Sequence, residues 1–421
     1  MKNGINPGLM WLFDDPLHDI SAINNRFLHL LAVVDDPLPD HHLLAVDDDL
    51  PNLPYHIIID ILSRLPAECI FRCQRVSRPL DVLTTTPYFI RTHLNQATPV
   101  IVVQSFSQSN GRYIKLYFIN EKAKKIEAYA KSMPLALRCM AIDNPIMLFG
   151  SYDGFLLFNN ISHGRSVFFM WNPITEQQVT LTQPRPYMNV CGFYFHALKR
   201  DYEVLFLYEC LGVLEFHILT LGTKSWRNVG RLFCFPPSIE RPPVIINGTL
   251  YWMVDRRRYY DVYHFYPSRK HLIVSFDTET EKFNTLKHDV CLPLSRKELK
   301  QVHLLEFEGR LCLCDPARDA SSTELDLWVL NPTTKWWFLK YILTLPEHDQ
   351  YFSTWPNAFS VEVVHIKKGE VLVRQFGTLL VYNLHLGTWR ILEKKGFEGD
   401  NVRALVHTHS LVSLDTHDDI Y

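Results

Sequence analysis

From about Pro99 onward, apolar and polar residues alternate in short runs broken by tight polar turns, the pattern of half-buried strands. Aligning the turns brings out a repeat: an apolar residue, a tight polar turn, and a second apolar residue seven positions on. Its members are Ile119/Ile126, Leu219/Trp226, Phe276/Phe283, Leu330/Trp337 and Tyr382/Trp389, with Trp171 matched more loosely by Gln178 and Val179. A second element, a turn glycine followed by alternating apolar residues, precedes many of these hairpins: Asp153-Gly154-Phe155, Asn247-Gly248-Thr249, Glu308-Gly309-Arg310 and Lys368-Gly369-Glu370. It reads as an inner strand entering each repeat. A spacing of roughly 50 residues is kelch-like, and it predicts an all-β propeller of six blades, because one such unit alone leaves strand edges and an apolar face exposed. The last strand, Ala404 to Leu414, has no hairpin after it, and Pro99 to Phe106 has no blade strand before it. Pairing the two would close the ring.

Between Leu53 and about Leu94 the period changes to that of short helices. Pro54 suits a first helical turn, and Ile57, Ile58, Ile61, Leu62 and Leu65 follow on one side. Pro66 stops that helix and opens the next, whose apolar face is Cys69, Ile70, Cys73 and Val76. Ser77 is placed to cap a third helix with Pro79 in its first turn and Leu80 and Leu83 facing inward. Three short helices of this size cannot bury so many apolar side chains by themselves. The surplus implies a partner.

Leu53-Pro54, then Ile61-Leu62-Ser63-Arg64-Leu65-Pro66, Arg75-Val76-Ser77-Arg78 and Pro87-Tyr88-Phe89-Ile90-Arg91, resemble the plant F-box without a gap; Leu80 stands where that family usually carries tryptophan. Trp171-Asn172-Pro173, Ser225-Trp226-Arg227, Gly248-Thr249-Leu250-Tyr251-Trp252 and Phe276-Asp277-Thr278-Glu279-Thr280 look like the plant F-box-associated interaction domain. The resemblance implies a small all-α F-box over residues 53–94 and an F-box-associated propeller over 99–421. It further implies that the F-box binds a Skp-type adaptor, and through it a cullin and a RING subunit, while the propeller recruits a protein target for ubiquitination. The adaptor-binding residues would be Leu53, Pro54, Ile57, Ile61, Leu62, Leu65, Pro66, Ile70 and Val76, some of which must also pack the F-box itself.

Residues 1–52 form an acidic, partly disordered extension, with nine aspartates against only Lys2 and Arg26. The formal net charge of the chain is only −2, so no nucleic-acid footprint is expected. No run approaches the roughly 20 apolar residues that span a bilayer, and the start lacks a secretory pattern, so no membrane partner and a cytoplasmic and/or nuclear location are expected. The nine cysteines show no CxxC spacing, and Cys312 and Cys314 fall on one strand face as core. Trp226, Trp337 and Trp389 occupy equivalent repeat positions and are read as blade core.

No P-loop, GxSxG elbow, HExxH pair or EF-hand loop occurs, and no catalytic residue, metal or cofactor is assigned. A receptor needs none, since it supplies proximity. The alternative class is a propeller enzyme or stand-alone scaffold carrying an inert F-box-like segment. For target binding, the longest repeat step contains Arg256, Arg257, Arg258, Tyr259, Tyr260 and Tyr263. Arginine and tyrosine are frequent interface anchors, and the basic run would favour an acidic or phosphorylated segment; a solvated hairpin is the competing reading.

Overall fold

The computed structural model describes residues 54–106, 114–119, 129–132, 146–162, 165–181, 183–185, 188–210, 213–232, 237, 241–254, 271–287, 302–316, 324–346, 361–375, 378–392 and 401–414. Two compact units emerge: the N-terminal helices with His409–Leu411, and Pro99–Thr408 with the residues from Val412 on.

The first unit holds four helices among the described residues: α1 (Tyr55–Ser63), α2 (Ala67–Gln74), α3 (Arg78–Thr84) and α4 (Pro87–Gln96). Three were expected. The addition is α4, where Pro87 occupies the first turn at no hydrogen-bonding cost and Thr86 caps the helix by accepting from the Phe89 amide at 3.3 Å. Pro54 and Pro66, both extended, stand just ahead of α1 and α2. Ser77 holds the corresponding place before α3, but its side chain makes no capping bond; its carbonyl accepts from Asp81 instead. Ile58, Ile59, Leu62, Ile70, Leu80, Leu83 and Phe89 form the core. Gln74 Nε2 donates to Thr84 Oγ1 at 2.8 Å, tying α2 to α3. Burial pushes the His93 imidazole below its ordinary pKa, so the neutral ring donates Nε2–H to the Leu65 carbonyl at 2.9 Å.

The second unit consists of six four-stranded antiparallel sheets. Blade I begins with β1 (Val100–Phe106), β2 (Ile114–Ile119) and β3 (Tyr129–Ser132). Blade II holds β4 (Ile146–Tyr152), β5 (Phe155–Ser162), β6 (Arg165–Trp171) and β7 (Gln178–Leu181). Blade III holds β8 (Met188–His196), β9 (Asp201–Cys210), β10 (Val213–Thr220) and β11 (Ser225–Leu232). Blade IV holds β12 (Val244–Ile246), β13 (Thr249–Met253), β14 (His271–Asp277) and β15 (Lys282–Lys287). Blade V holds β16 (His303–Phe307), β17 (Arg310–Pro316), β18 (Glu324–Leu330) and β19 (Trp337–Thr344). Blade VI holds β20 (Val361–Lys367), β21 (Glu370–Gln375), β22 (Thr378–Asn383) and β23 (Thr388–Ile391). The last strand, β24 (Asn401–His407), pairs antiparallel with β1, from Val100↔His407 to Phe106↔Asn401, and completes blade I. The ring is closed by its own two ends, as the unpaired first and last strands predicted.

In five blades the seven-residue repeat is a true cross-strand pair: Trp171↔Gln178, Leu219↔Trp226, Phe276↔Phe283, Leu330↔Trp337 and Tyr382↔Trp389. Blade I differs. There Phe118 faces Tyr129, and the expected Ile119/Ile126 pair cannot be drawn because Ile126 lies outside the described residues. A second correction concerns depth. The glycine-turn elements open β5, β13, β17 and β21, the second strand of each sheet, while the first strands neighbour one another around the axis. The turns before them pair a positive-φ residue with glycine, as in Asp153 (48°) and Gly154 (92°), the type I′ geometry that matches strand twist. The tryptophans also divide. Trp226 lies against Phe206 at 4.9 Å and Trp337 packs between blades IV and V, but Trp389 is exposed, because β23 is an outermost strand with nothing over it among the described residues.

Innermost strands have one edge with no partner strand, and their bulges free further backbone groups. Side chains from adjacent blades satisfy these groups. At the β4 bulge, Gln104 accepts from the Leu148 amide at 2.7 Å and donates to the Ile146 carbonyl at 2.6 Å, and Arg403 donates to the Leu148 carbonyl at 2.9 Å. At the β8 bulge Trp252 Nε1 donates to the Cys191 carbonyl at 2.8 Å; at the β20 bulge His303 Nε2 accepts from the Val363 amide at 3.0 Å. Cys312 and Cys314 are buried in the cluster between blades V and VI, as core.

Candidate functional site

In the helical unit, the predicted adaptor residues fall into two groups. Leu62 and Ile70 are fully packed inside the unit, so they hold its shape and have no surface to offer. Pro54, Ile57, Pro66 and Val76 are exposed, and Ile61 and Leu65 are half-buried. Leu53 lies outside the described residues. Two exposed apolar side chains were missed: Val82 on α3 and Tyr88 on α4. Their direction follows once the covered face is known. Val82 lies between the inward Leu80 and Leu83, and Tyr88 precedes the fully buried Phe89, so both must point away from the core. Among the described residues, nothing covers Val76, 58% exposed, or Tyr88, 69% exposed, and they leave much apolar surface in water. Exposed charges border them: Arg75 and Arg78 flank Val76 and Asp81 adjoins Val82, while Arg64 pairs with Asp60 at 2.8 Å, one turn away on α1.

In the propeller, Arg256, Arg257, Arg258, Tyr259, Tyr260 and Tyr263 lie outside the described residues. Their flanks are described: β13 ends at Met253 and β14 starts at His271. A connection from second to third strand leaves on the same side of the ring as the blade-to-blade connections, because successive strands run antiparallel. The opposite side carries the two-residue type I′ turns and the short turns such as Asn172–Gln177. The two faces of the ring are therefore unequal, and most of the longer connections leave on one of them.

The inner strands of several blades are bridged by one short segment. Arg241-Pro242-Pro243, just ahead of β12, reaches three other blades. A Cβ on Gly150 of blade II would lie 3.2 Å from Pro242 Cβ, and one on Gly192 of blade III would lie 3.5 Å from Pro243 Cγ and 2.3 Å from Leu250 Cδ2. The Arg241 guanidinium pairs with Glu362 of blade VI, which also receives Arg374 at 2.7 Å. Burial alone would raise the Glu362 carboxyl; the charges of Arg241 and Arg374 outweigh it and hold the group at about 2.

One cluster has the donor set for a cation: His196, Glu203 and Glu281 place ligand atoms within 4.8 Å of one another. Two cations already fill it. Lys199 Nζ lies 3.1 Å from Glu203 and 3.0 Å from Glu281, and Arg227 lies 2.8 Å and 2.7 Å from the same two carboxylates. Tyr194 donates to Glu203 at 3.0 Å. Burial would raise both carboxyls, but the hydrogen bonds from Arg227 and Lys199 hold them below their usual range. This is an ion-pair strut joining blades III and IV, and no metal is needed to explain it.

These struts imply an acid response. Carboxyls depressed by folding contribute stability that is complete above the ordinary glutamate value and is lost as pH falls through it; for Glu362 the window runs from 4.5 to about 2. The melting temperature is expected to fall as pH drops below about 5. Glu362→Gln should lower it at neutral pH and flatten its dependence below about 5. A Glu362→Gln protein with the parent's melting curve at every pH would contradict the assignment.

Residues 102–417 match the family described as F-box associated beta propeller domain, and residues 50–96 match the F-box-like family. The Arabidopsis thaliana F-box protein At3g07870 is 27% identical over 416 residues, covering 88% of this chain and 94% of its own length. The putative F-box protein At4g21240 of the same plant is 28% identical over 309 residues, covering 70% of this chain and 69% of its own length. Four short helices presenting apolar side chains, joined in one chain to a six-bladed ring closed by its own ends, agree with both family matches. The chain therefore belongs to the F-box proteins that carry an F-box-associated β-propeller.

Proposed function

We propose that this chain is the non-catalytic substrate-receptor subunit of a Skp–cullin–F-box ubiquitin ligase, acting in the cytoplasm and/or nucleus. The observation that carries the reading is the apolar side chains left exposed on a small helical unit of F-box type. Ile57, Val76, Val82 and Tyr88 come from α1, the α2–α3 turn, α3 and α4, and a Skp-type adaptor would remove them from water. Ile61, Leu65, Pro54 and Pro66 would border the contact. The thioester chemistry belongs to the conjugating enzyme, and the receptor contributes proximity. Arg256, Arg257, Arg258, Tyr259, Tyr260 and Tyr263 are proposed to contact the target.

The test is assembly. Co-expressed with a plant Skp-type adaptor, a cullin and a RING subunit, the full chain should elute with all three on size exclusion. An adaptor–cullin–RING complex that forms without the chain, and never recruits it, would overturn the reading.

A further inference from the structure

Each outermost blade strand has a free edge among the described residues, and five of the six are defended against unwanted pairing. β3, β7 and β23 are only four residues long. β11 carries Asn228 and the well-exposed Arg231, and β15 carries Lys282 and Asn284. β19 is the exception: eight residues, Trp-Phe-Leu-Lys-Tyr-Ile-Leu-Thr, with Lys340 as its one charge. That charge does not guard the edge. Lys340 Nζ lies 4.1 Å from the centre of the Phe307 ring and 3.0 Å from Glu308, both in its own blade.

Phe338, Leu339 and Ile342 are exposed on β19, as is Trp336 in the turn before it; Trp336 reaches 65% and Ile342 51%. Trp336, Leu339 and Ile342 present apolar surface on the order of 300 Å², in the range at which a patch marks a contact site. A stable dimer needs roughly 800 Å² from each partner, so a second copy of this chain is a poor match for the area. A helix would cover the side chains but leave the edge's backbone donors and acceptors unmet. An extended segment meets both requirements. The strand slips register at Lys340, between the Trp328↔Leu339 and Leu327↔Tyr341 pairs; Leu339 and Ile342, opposite Trp328 and Asp326, lie on one face, and Phe338, opposite Val329, lies on the other.

We propose that the free edge of β19 is a docking strand: an extended segment of the captured protein adds a fifth strand to blade V, with uncharged apolar side chains against Trp336, Leu339 and Ile342. The inference rests on the receptor reading for its biological setting, but the docking itself is separable from adaptor binding.

The test pans a random dodecapeptide phage library on the purified full chain and counter-screens Leu339→Glu/Ile342→Glu. Enriched peptides should share apolar residues at alternate positions, bind the double variant at least tenfold more weakly, and lose binding when alternate backbone amides are N-methylated. Should the variant misfold, Leu339→Thr/Ile342→Thr keeps strand propensity while removing the apolar surface. Peptides that bind the variants equally or tolerate N-methylation would overturn the proposal. So would a library that yields no alternating pattern, or a parent dimer that the variant converts to monomer, since that would name a second copy as the occupant. Adaptor binding is measured on the same samples: its absence beside intact peptide binding would sink the receptor reading and leave the docking strand standing.

Discussion

Truncation after Val402 is expected to give insoluble protein with no cooperative melting transition. The cut removes most of β24, and with it five of the residue pairs that seat β1, from Val100↔His407 to Val103↔Ala404 and Gln104↔Arg403. It also removes the Arg403 bond to Leu148, the 2.8 Å contact between Ser151 and His407, and the Val412 carbonyl that accepts from Asn172 at 2.8 Å. What remains is a ring with a gap, the edge of β1 unpaired and the cluster around Ile101 and Val103 open to water. Edges of this kind pair with other chains. Size exclusion and thermal melting decide the matter, and a soluble monomer melting like the parent would show that the ends do not close the ring.

The second large effect is expected at the helical unit. Ile57→Asp combined with Val76→Asp should weaken adaptor binding by on the order of a hundredfold or more, since each change places a charge where apolar contact is required. Both positions are exposed, so the fold should tolerate the changes with little shift in melting. The corresponding change at Leu62 or Ile70 would be uninformative, because those side chains are core and their loss would unfold the unit. Tyr88→Ala is the milder companion and should weaken binding without adding charge.

Periodicity identified the blades because two apolar residues flanking a tight turn must face one another, as Leu219 and Trp226 do. In blade I the described pairing is Phe118 with Tyr129, across a longer β2–β3 connection, and Ile126 lies outside the described residues. Helical spacing identified which side chains share a face in α1 and α2, but not which face is covered; Leu62 and Ile70 turned inward, and Val82 and Tyr88 outward, on the strength of packing that no single helix encodes. The Arg241-Pro242-Pro243 bridge between blades was beyond reach for a different reason. Arg241 and Glu362 stand 121 residues apart, and Pro242 meets Gly150 only because six blades bring their first strands to one axis. Nothing local marks such a contact. The same holds for the Lys199–Glu203–Arg227–Glu281 strut, whose members read separately as ordinary surface charges.

Calorimetric titration of the full chain with a purified plant Skp-type adaptor tests the central claim most directly. The account predicts one site of sub-micromolar affinity with a negative heat-capacity change, the mark of apolar burial, and predicts that Ile57→Asp/Val76→Asp abolishes the heat while leaving melting intact. No binding by the folded parent chain, or equal binding by the double variant, would contradict it.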